Sequence, residues 1–203
     1  MSALPSEGWH KASKALCTTE GASGNLVEDM GLFEWAGVGL AKEDVYRVHL
    51  AMGQVRASAG LASIRFFGKI MGTQSDYYVL EGTYAKAPAA DPDAPADQEA
   101  PGTGLNAKVF FVSQSPSDPF VQLPDVSPAQ VVASRSIRKY FTGNLDAPVA
   151  CYPAFPGSEA AYLRAQLARL AADTVLAPSG KYTLDEDVED GPKPVILADD
   201  FVM

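Results

Sequence analysis

Residues 64–84 read IRFFGKIMGTQSDYYVLEGTY and carry the clearest strand pattern in the chain. Aromatic and β-branched residues dominate Ile64–Met71 and Tyr77–Tyr84, and both residue types favour strands. The five residues between these runs are small or polar, so we predict an antiparallel hairpin with a short loop. A third strand at Ala107–Ser113 is expected to return to the same sheet.

Helices are predicted before and after these strands. The first runs from near Lys42 to near Gly60, and the last opens at Ser158 and Glu159. The buried stripe of the first helix is Val45, Val48, Met52 and Val55. The apolar stripe of the last helix is Leu163, Leu167 and Leu170.

A helix between these two has the strongest start signal, with Ser127 as N-cap, Pro128 at the first position and Gln130 at the third. Gly143 is expected to end this helix in the left-handed conformation. The residues predicted to be buried are Ala133, Ile137, Tyr140 and Phe141. The cations predicted to share one side are Arg135, Arg138 and Lys139. Two interpretations of these cations stay open: an ordinary solvent-facing side, or a basic strip that receives an acidic segment.

The net charge of −9 is concentrated in two segments. Residues 85–104 hold seven alanines, four prolines and four acids, so they are predicted to form a linker-like insertion and not a domain boundary. Five of the six residues at 185–190 are acidic and predict a solvated tail. The fold class is therefore predicted as α+β, with an antiparallel sheet and a few packed amphipathic helices. We divide the chain into a loosely structured or partner-ordered lead at 1–30, a core domain at 31–184 and an acidic tail at 185–203.

Composition argues against several functions. Without clustered Lys and Arg the chain is not expected to bind nucleic acid, and no apolar run is long enough to predict a membrane span or a signal peptide. The only cysteines, Cys17 and Cys151, are far apart and fit a reducing compartment without a disulfide framework. With only His10 and His49 present, a three-histidine metal site cannot be built within one chain. Carboxylate sites for hard cations stay open, but the sequence has no D-x-[DN]-x-[DN]-G loop, and we assign no metal or cofactor.

Catalysis has one candidate centre, His49. It shares the predicted apolar face of the first helix with Val45, Val48 and Met52, which favours a histidine at the edge of the core. A small acid–base enzyme that pairs His49 with a nearby carboxylate is the alternative. A cleft around His49 would favour that enzyme, and its absence would remove it.

Several ordered blocks of the sequence carry a family resemblance. The first are Phe66–Gly72 and Asp76–Val79. The others are Leu123–Gln130, Arg138–Val149, Tyr152–Gly157 and Tyr162–Arg169. Together these blocks resemble the radial spoke head proteins of the 4 and 6 type, found in motile cilia and flagella. The resemblance runs from about Gly31 to Tyr182. Departures are Phe67 in place of tryptophan, Ala41 in place of a better N-cap, a shorter chain and a short acidic run in place of a long Glu-rich tail.

The resemblance implies a structural subunit of the radial spoke head without catalysis. The implied location is the cytoplasm and cytoskeleton, in the axoneme of a cilium or flagellum. The implied partners are a paralogous subunit, a smaller spoke-head subunit and, by transient contact, the central pair projections. Such a subunit would pass mechanical signals from the central pair toward the dynein motors to support motility. An adaptor domain of another cytoskeletal assembly is a further alternative, and only the partner found would separate the two.

Residues that contact partners are expected to be aromatic or basic. Besides the three cations, the candidate interaction residues are Phe110, Phe111, Tyr152 and Phe155. Each of these aromatic residues is also a candidate for the core.

Overall fold

The computed structural model describes residues 25–35, 37–89, 98–173, 182–184 and 195–197. Residues 25–173 belong to one compact unit, and the strands at 182–184 and 195–197 belong to a second. Several predictions lie outside the described residues: those on residues 1–24, on the middle of the insertion at 90–97, and on the acidic run at 185–190.

The first unit contains the predicted antiparallel sheet, in the order β1-β2-β3-β4. The strands are β1 (Leu61–Ile70), β2 (Tyr77–Tyr84), β3 (Val109–Ser113) and β4 (Val121–Gln122). The hairpin and the returning third strand are confirmed, and β1 begins three residues earlier than predicted. Because β2 and β3 are neighbours, residues 85–104 lie within a connection between two strands of one sheet. The α+β fold class is confirmed.

A β-bulge at Phe67 changes which face of the sheet β1 presents. Before the bulge, Phe66 pairs with Leu80, whereas after it Gly68 pairs with Val79. One extra residue reverses the alternation of side chains. Ile70 therefore packs with Phe67 on one face, while Lys69 reaches the opposite face.

One face of the sheet packs against two helices, α1 (Leu26–Trp35) and α2 (Lys42–Ala59). Helix α2 and its buried stripe are confirmed, and it ends at Gly60 in the left-handed conformation. Helix α1 was not predicted, and its residues 26–30 fall in the segment assigned to a loose lead. The signal for it was Asn25, whose Oδ1 accepts from the N–H of Val27 and whose Nδ2 donates to Glu28. This is an N-cap arrangement.

The opposite face packs against α4 (Glu159–Asp173), which confirms the last predicted helix. Leu163 and Leu167 are fully buried against Tyr77, Val79 and Phe110. Leu170, the third residue of the predicted stripe, is 45% exposed. Alanines on another side of α4 pack against Val131 of α3 (Pro128–Ser136). The sheet therefore has helices on both faces.

Helix α3 has the predicted capping box but ends earlier than predicted. Ile137 is already extended, and Tyr140 is 84% exposed instead of buried. The early end has a tertiary cause, since Gln166 and Arg169 of α4 donate to the carbonyl oxygen of Ser134 at 3.2 and 3.0 Å. These donors satisfy a carbonyl that a longer helix would have bonded.

The second unit contains a two-stranded antiparallel pair of β5 (Tyr182–Leu184) and β6 (Val195–Leu197). This pair was not predicted. Its strands lie on either side of the predicted boundary between core and tail at residue 184, and residues 195–197, which were assigned to the acidic tail, form a strand.

Substitution of Phe110 tests the core assignment. Phe110 is 1% exposed and Tyr152 is 99% exposed. We expect Phe110→Ala to lower the free energy of unfolding by about 3–5 kcal/mol, because a buried ring leaves a cavity. Tyr152→Ala is the matched control and should change it by less than about 0.5 kcal/mol. Urea denaturation followed by circular dichroism measures both, and equal effects would contradict the assignment.

Candidate functional site

A buried carboxylate, Glu159, joins three parts of the first unit. It is 4% exposed at the start of α4 and accepts from the hydroxyl of Tyr77 on β2 at 2.8 Å. It also accepts from the N–H and hydroxyl of Thr142 at 2.9 and 2.7 Å, and from the N–H of Gly143 at 2.9 Å. Four donors thus converge on one carboxylate, which an isolated buried charge requires. We call Tyr77, Thr142, Gly143 and Glu159 the carboxylate hub.

The hub fixes the segment Phe141–Gly143 against the β1–β2 loop. Thr73 and Gln74 donate their N–H groups to the carbonyl oxygens of Phe141 and Thr142 at 2.8 and 2.9 Å. Gln114, beyond the end of β3, donates to the carbonyl oxygen of Gly143 at 2.6 Å. The β1–β2 loop, the Phe141–Gly143 segment and the end of β3 therefore share one hydrogen-bonded network.

The hub holds Glu159 in the ionised form and Tyr77 in the neutral form. Burial opposes ionisation of Glu159, but the hydrogen bonds from Thr142, Gly143 and Tyr77 lower its pKa on balance. Burial, and then the neighbouring Glu159 carboxylate, raise the pKa of Tyr77. The pair is therefore a stable ionic hydrogen bond and not a group poised to transfer a proton near neutral pH.

A second buried network centres on Arg164 of α4, which is 1% exposed. Its Nη2 donates to Asn106 Oδ1 at 3.1 Å and to the carbonyl oxygens of Leu105 and Lys108 at 3.0 and 3.1 Å. Its guanidinium carbon lies 4.9 Å from the ring centre of Phe110. Asn106 in turn exchanges hydrogen bonds with the backbone of Val126. Arg164 thus ties the C-terminal end of the insertion to the core.

Burial dominates the electrostatics of this second network. It lowers the pKa of Arg164 to about 10, although Asp125 opposes the shift, so the side chain stays cationic at neutral pH. Burial raises the pKa of Asp125, and Arg164 opposes that shift. The Nη1 atom of Arg164 is buried without a hydrogen-bond partner in the structure. The network is therefore structural, and its donors point at backbone carbonyls.

The cavities offer little catalytic chemistry. An open cavity of about 360 Å³ has Asp76 and Tyr78 as its titratable lining groups. The hydrogen bond from Lys69, at 2.8 Å, lowers the pKa of Asp76, which makes the carboxylate a weaker base. A smaller cavity of about 190 Å³ reaches Tyr77 and Asp118. Within the described ranges, no cluster of His, Cys, Asp or Glu has the makings of a metal site.

His49 does not lie at the edge of the core as predicted. The turn of α2 that buries Val48 leaves His49 exposed, and His49 lines neither cavity described above. Among the described residues no carboxylate forms an ion pair with it. The geometry that the acid–base alternative required is therefore not found there.

The predicted interaction residues divide into buried and exposed sets. Phe110, Phe111 and Phe155 are core residues at 1, 5 and 7% exposure, so only Tyr152 of the four aromatic candidates is available to a partner. The three candidate cations, Arg135, Arg138 and Lys139, are all exposed. Only Arg135 lies on α3, so the predicted single helical side is wrong. The two buried networks could not be predicted from the sequence pattern, because Glu159 and Arg164 resemble surface residues of an amphipathic helix.

Comparison with known proteins identifies close sequence relatives. A family model described as radial spokehead-like protein matches residues 6–91 and 84–200. Radial spoke head protein 4 homolog A of Homo sapiens is 37% identical over 83% of this chain and 28% of its own length. Flagellar radial spoke protein 4 of Chlamydomonas reinhardtii is 41% identical over 80% of this chain and 39% of its own length. Radial spoke head protein 6 homolog A of Homo sapiens is 35% identical over 82% of this chain and 29% of its own length.

The chain therefore spans between about a quarter and two fifths of the length of these curated relatives. No helix among the described residues is long and apolar enough to cross a membrane. The matched regions include both buried networks, since Glu159 and Arg164 fall within residues 84–200.

Removal of the hub charge should destabilise the fold in a pH-dependent way. Glu159→Gln is expected to lower the free energy of unfolding by about 2–3 kcal/mol near neutral pH, because an amide cannot accept from all four donors. The folded pKa of Glu159 is depressed, so its contribution is complete above the ordinary value of 4.5 and is lost as pH falls through the folded value. The difference in unfolding free energy between the natural chain and the variant should therefore become smaller in acid. Urea denaturation at about pH 7 and about pH 3 measures this, and a deficit of constant size would contradict it.

Gly143 tests the backbone geometry of the hub. Its φ is +97°, and a Cβ atom there would clash with the backbone of Ser75. Gly143→Ala should therefore cost more than about 1 kcal/mol of unfolding free energy. Gly53→Ala is the matched control, because Gly53 lies in α2 with open space at its Cβ, and it should stabilise the fold by about 0.5–1 kcal/mol. Thermal melts of both variants measure the difference, and a destabilised Gly53→Ala would contradict it.

Proposed function

Since this chain belongs to the radial spokehead-like protein family, we propose that it is a structural subunit of the radial spoke head of motile cilia and flagella. The observation that carries the proposal is the identity of 35–41% to proteins named as radial spoke head or flagellar radial spoke proteins, over about four fifths of the chain. The proposed location is the axoneme within the cytoplasm and cytoskeleton.

The proposed mechanism is mechanical. A subunit that passes contact forces from the central pair projections toward the dynein motors must deform little under load. The carboxylate hub supports that use, because it fastens the Phe141–Gly143 segment to β2, α4 and the β1–β2 loop. The Arg164 network supports it as well, since it fastens residues 105–108 to α4. Buried hydrogen bonds of this kind favour one arrangement of the segments that they join.

A role without catalysis is part of the proposal. The names of the relatives imply a structural protein, and Tyr77, Glu159 and Arg164 are held by hydrogen bonds within the two networks. Asp76 in the larger cavity is held ionised by Lys69. The proposed partners are other spoke head subunits, namely a paralogous subunit and a smaller one, with transient contact to the central pair. Neither nucleic acid nor a membrane is proposed as a partner.

The adaptor alternative shares the fold and differs in the partner. The test is to tag the full natural protein in its own motile cell, extract axonemes and separate the solubilised complexes. We expect the tag to co-fractionate with the spoke head, and cells without the protein to have spokes that lack head density in tomograms. The Gly53→Ala protein should assemble normally, whereas Phe110→Ala should reduce incorporation. Co-fractionation with a different cytoskeletal complex would favour the adaptor and contradict the spoke head.

A further inference from the structure

We propose that Arg138, Lys139, Tyr140 and Tyr152 form a docking surface for an extended acidic segment of a neighbouring subunit. We call these four residues the cationic tyrosine surface. This proposal rests on the proposed function, because a neighbouring subunit is present only if the chain assembles into a multi-subunit spoke head. Its chemistry is argued from the contacts and charges of this chain.

The backbone of residues 138–140 is positioned by its two neighbours. Ile137 adopts φ −98° and ψ 128°, which is extended backbone, and it is 8% exposed in an apolar cluster with Tyr162. Phe141 packs against the same cluster and forms a bridge with Gly72. Both ends of the segment are therefore fixed on the core, while the three residues between them are exposed.

Tyr152 lies on a second segment that is fixed next to the first. Val149 and Cys151 pack against the cluster that contains Ile137, and Phe155 is buried in it. The Nζ of Lys139 donates to the carbonyl oxygen of Ala150 at 3.3 Å, which joins the two segments directly. The rings of Tyr140 and Tyr152 are 84 and 99% exposed. The two exposed tyrosine rings, Arg138 and Lys139 thus lie on two backbone segments that are fixed to the core.

Among the described residues, no carboxylate pairs with the cationic tyrosine surface. In the part of the chain that the structure describes, Arg138, Tyr140 and Tyr152 make no hydrogen bond, ion pair or ring contact, and Lys139 bonds only Ala150. Five of the other ten described cations are paired with carboxylates, namely Lys42, Arg47, Arg65, Lys69 and Lys108. With a net charge of −9, acids to pair with Arg138 and Lys139 were available in the sequence.

The chemistry of the surface selects an acidic peptide. Carboxylates would pair with the guanidinium of Arg138 and the ammonium of Lys139. The exposed tyrosine rings would cover the aliphatic parts of a peptide, as tyrosines do at protein interfaces. The backbone N–H and C=O groups of residues 138–140 have no described hydrogen-bond partner, which suits a peptide that is itself extended.

The test measures binding of fluorescent peptides to the purified full chain by anisotropy. The probe is LDEDVEDG, an acidic stretch with the sequence of residues 184–191, and its control is LNQNVQNG. We expect the acidic probe alone to bind, with affinity that falls as salt is raised from about 50 to about 300 mM. Arg138→Glu with Lys139→Glu should weaken binding at least about tenfold, because attraction becomes repulsion.

Two further variants make the assay specific. Lys42→Glu with Lys86→Glu changes the net charge equally at exposed positions on other elements, and should alter affinity by less than about twofold. Tyr140→Ser with Tyr152→Ser should weaken binding while leaving its salt dependence unchanged, since the charges remain. Thermal melts of each variant separate loss of binding from loss of folding.

Four outcomes would overturn the inference. Three of them concern the peptides and variants: absence of binding by the acidic probe, equal binding of the amide control, and equal weakening by the two charge-reversed pairs. Tighter binding of a polyphosphate than of the acidic probe would also overturn it, by assigning the cations to phosphate. Because this assay uses the purified chain, the peptide can fail to bind while the tagged protein still enters spoke heads. Conversely, the peptide can bind while the tagged protein enters another complex, so the two proposals fail separately.

Discussion

The hydrogen bonds that converge on Glu159 impose the main constraint on this fold. A carboxylate that is 4% exposed at the first residue of α4 must be satisfied by groups from elsewhere in the chain. Tyr77 from β2 and the backbone of Thr142 and Gly143 supply them. Removing any one donor would leave charge uncompensated in a poorly solvated site. The positions of α4, the 141–143 segment and the sheet are therefore set together.

The elements with strong local patterns could be predicted from the sequence. The aromatic and β-branched runs around residues 64–84 and the apolar stripe of α2 are short-range signals. The hairpin and α2 both formed as predicted, with β1 beginning three residues earlier. The capping box at Ser127 fixed the start of α3 for the same reason. Helix α1 was missed because its apolar residues are not confined to one face: Val27 and Trp35 are exposed while Leu26 is buried.

What could not be predicted depends on residues far apart in the chain. The length of α3 is set by Gln166 and Arg169, which bond the carbonyl of Ser134 from more than 30 residues away. Glu159 and Arg164 carry the two buried networks, yet charged residues on an amphipathic helix ordinarily face solvent. The family resemblance led to the function, and it carried no information on which of its aromatic residues are buried. Phe155 and Tyr152, only three positions apart, have opposite fates.

The bulge at Phe67 restricts how this family of sequences can change in length. Before it, β1 faces the α1–α2 layer with Phe66, and after it the strand contributes Ile70 to the α4 layer. Loss or gain of a single codon within β1 would exchange Lys69 and Ile70, placing a cation in an apolar layer and an isoleucine beside Asp76. Residues 85–104, by contrast, join adjacent strands and are anchored at Ala85 and Gly102 by backbone bonds. Evolutionary insertions and deletions should therefore accumulate in that connection and be purged from β1.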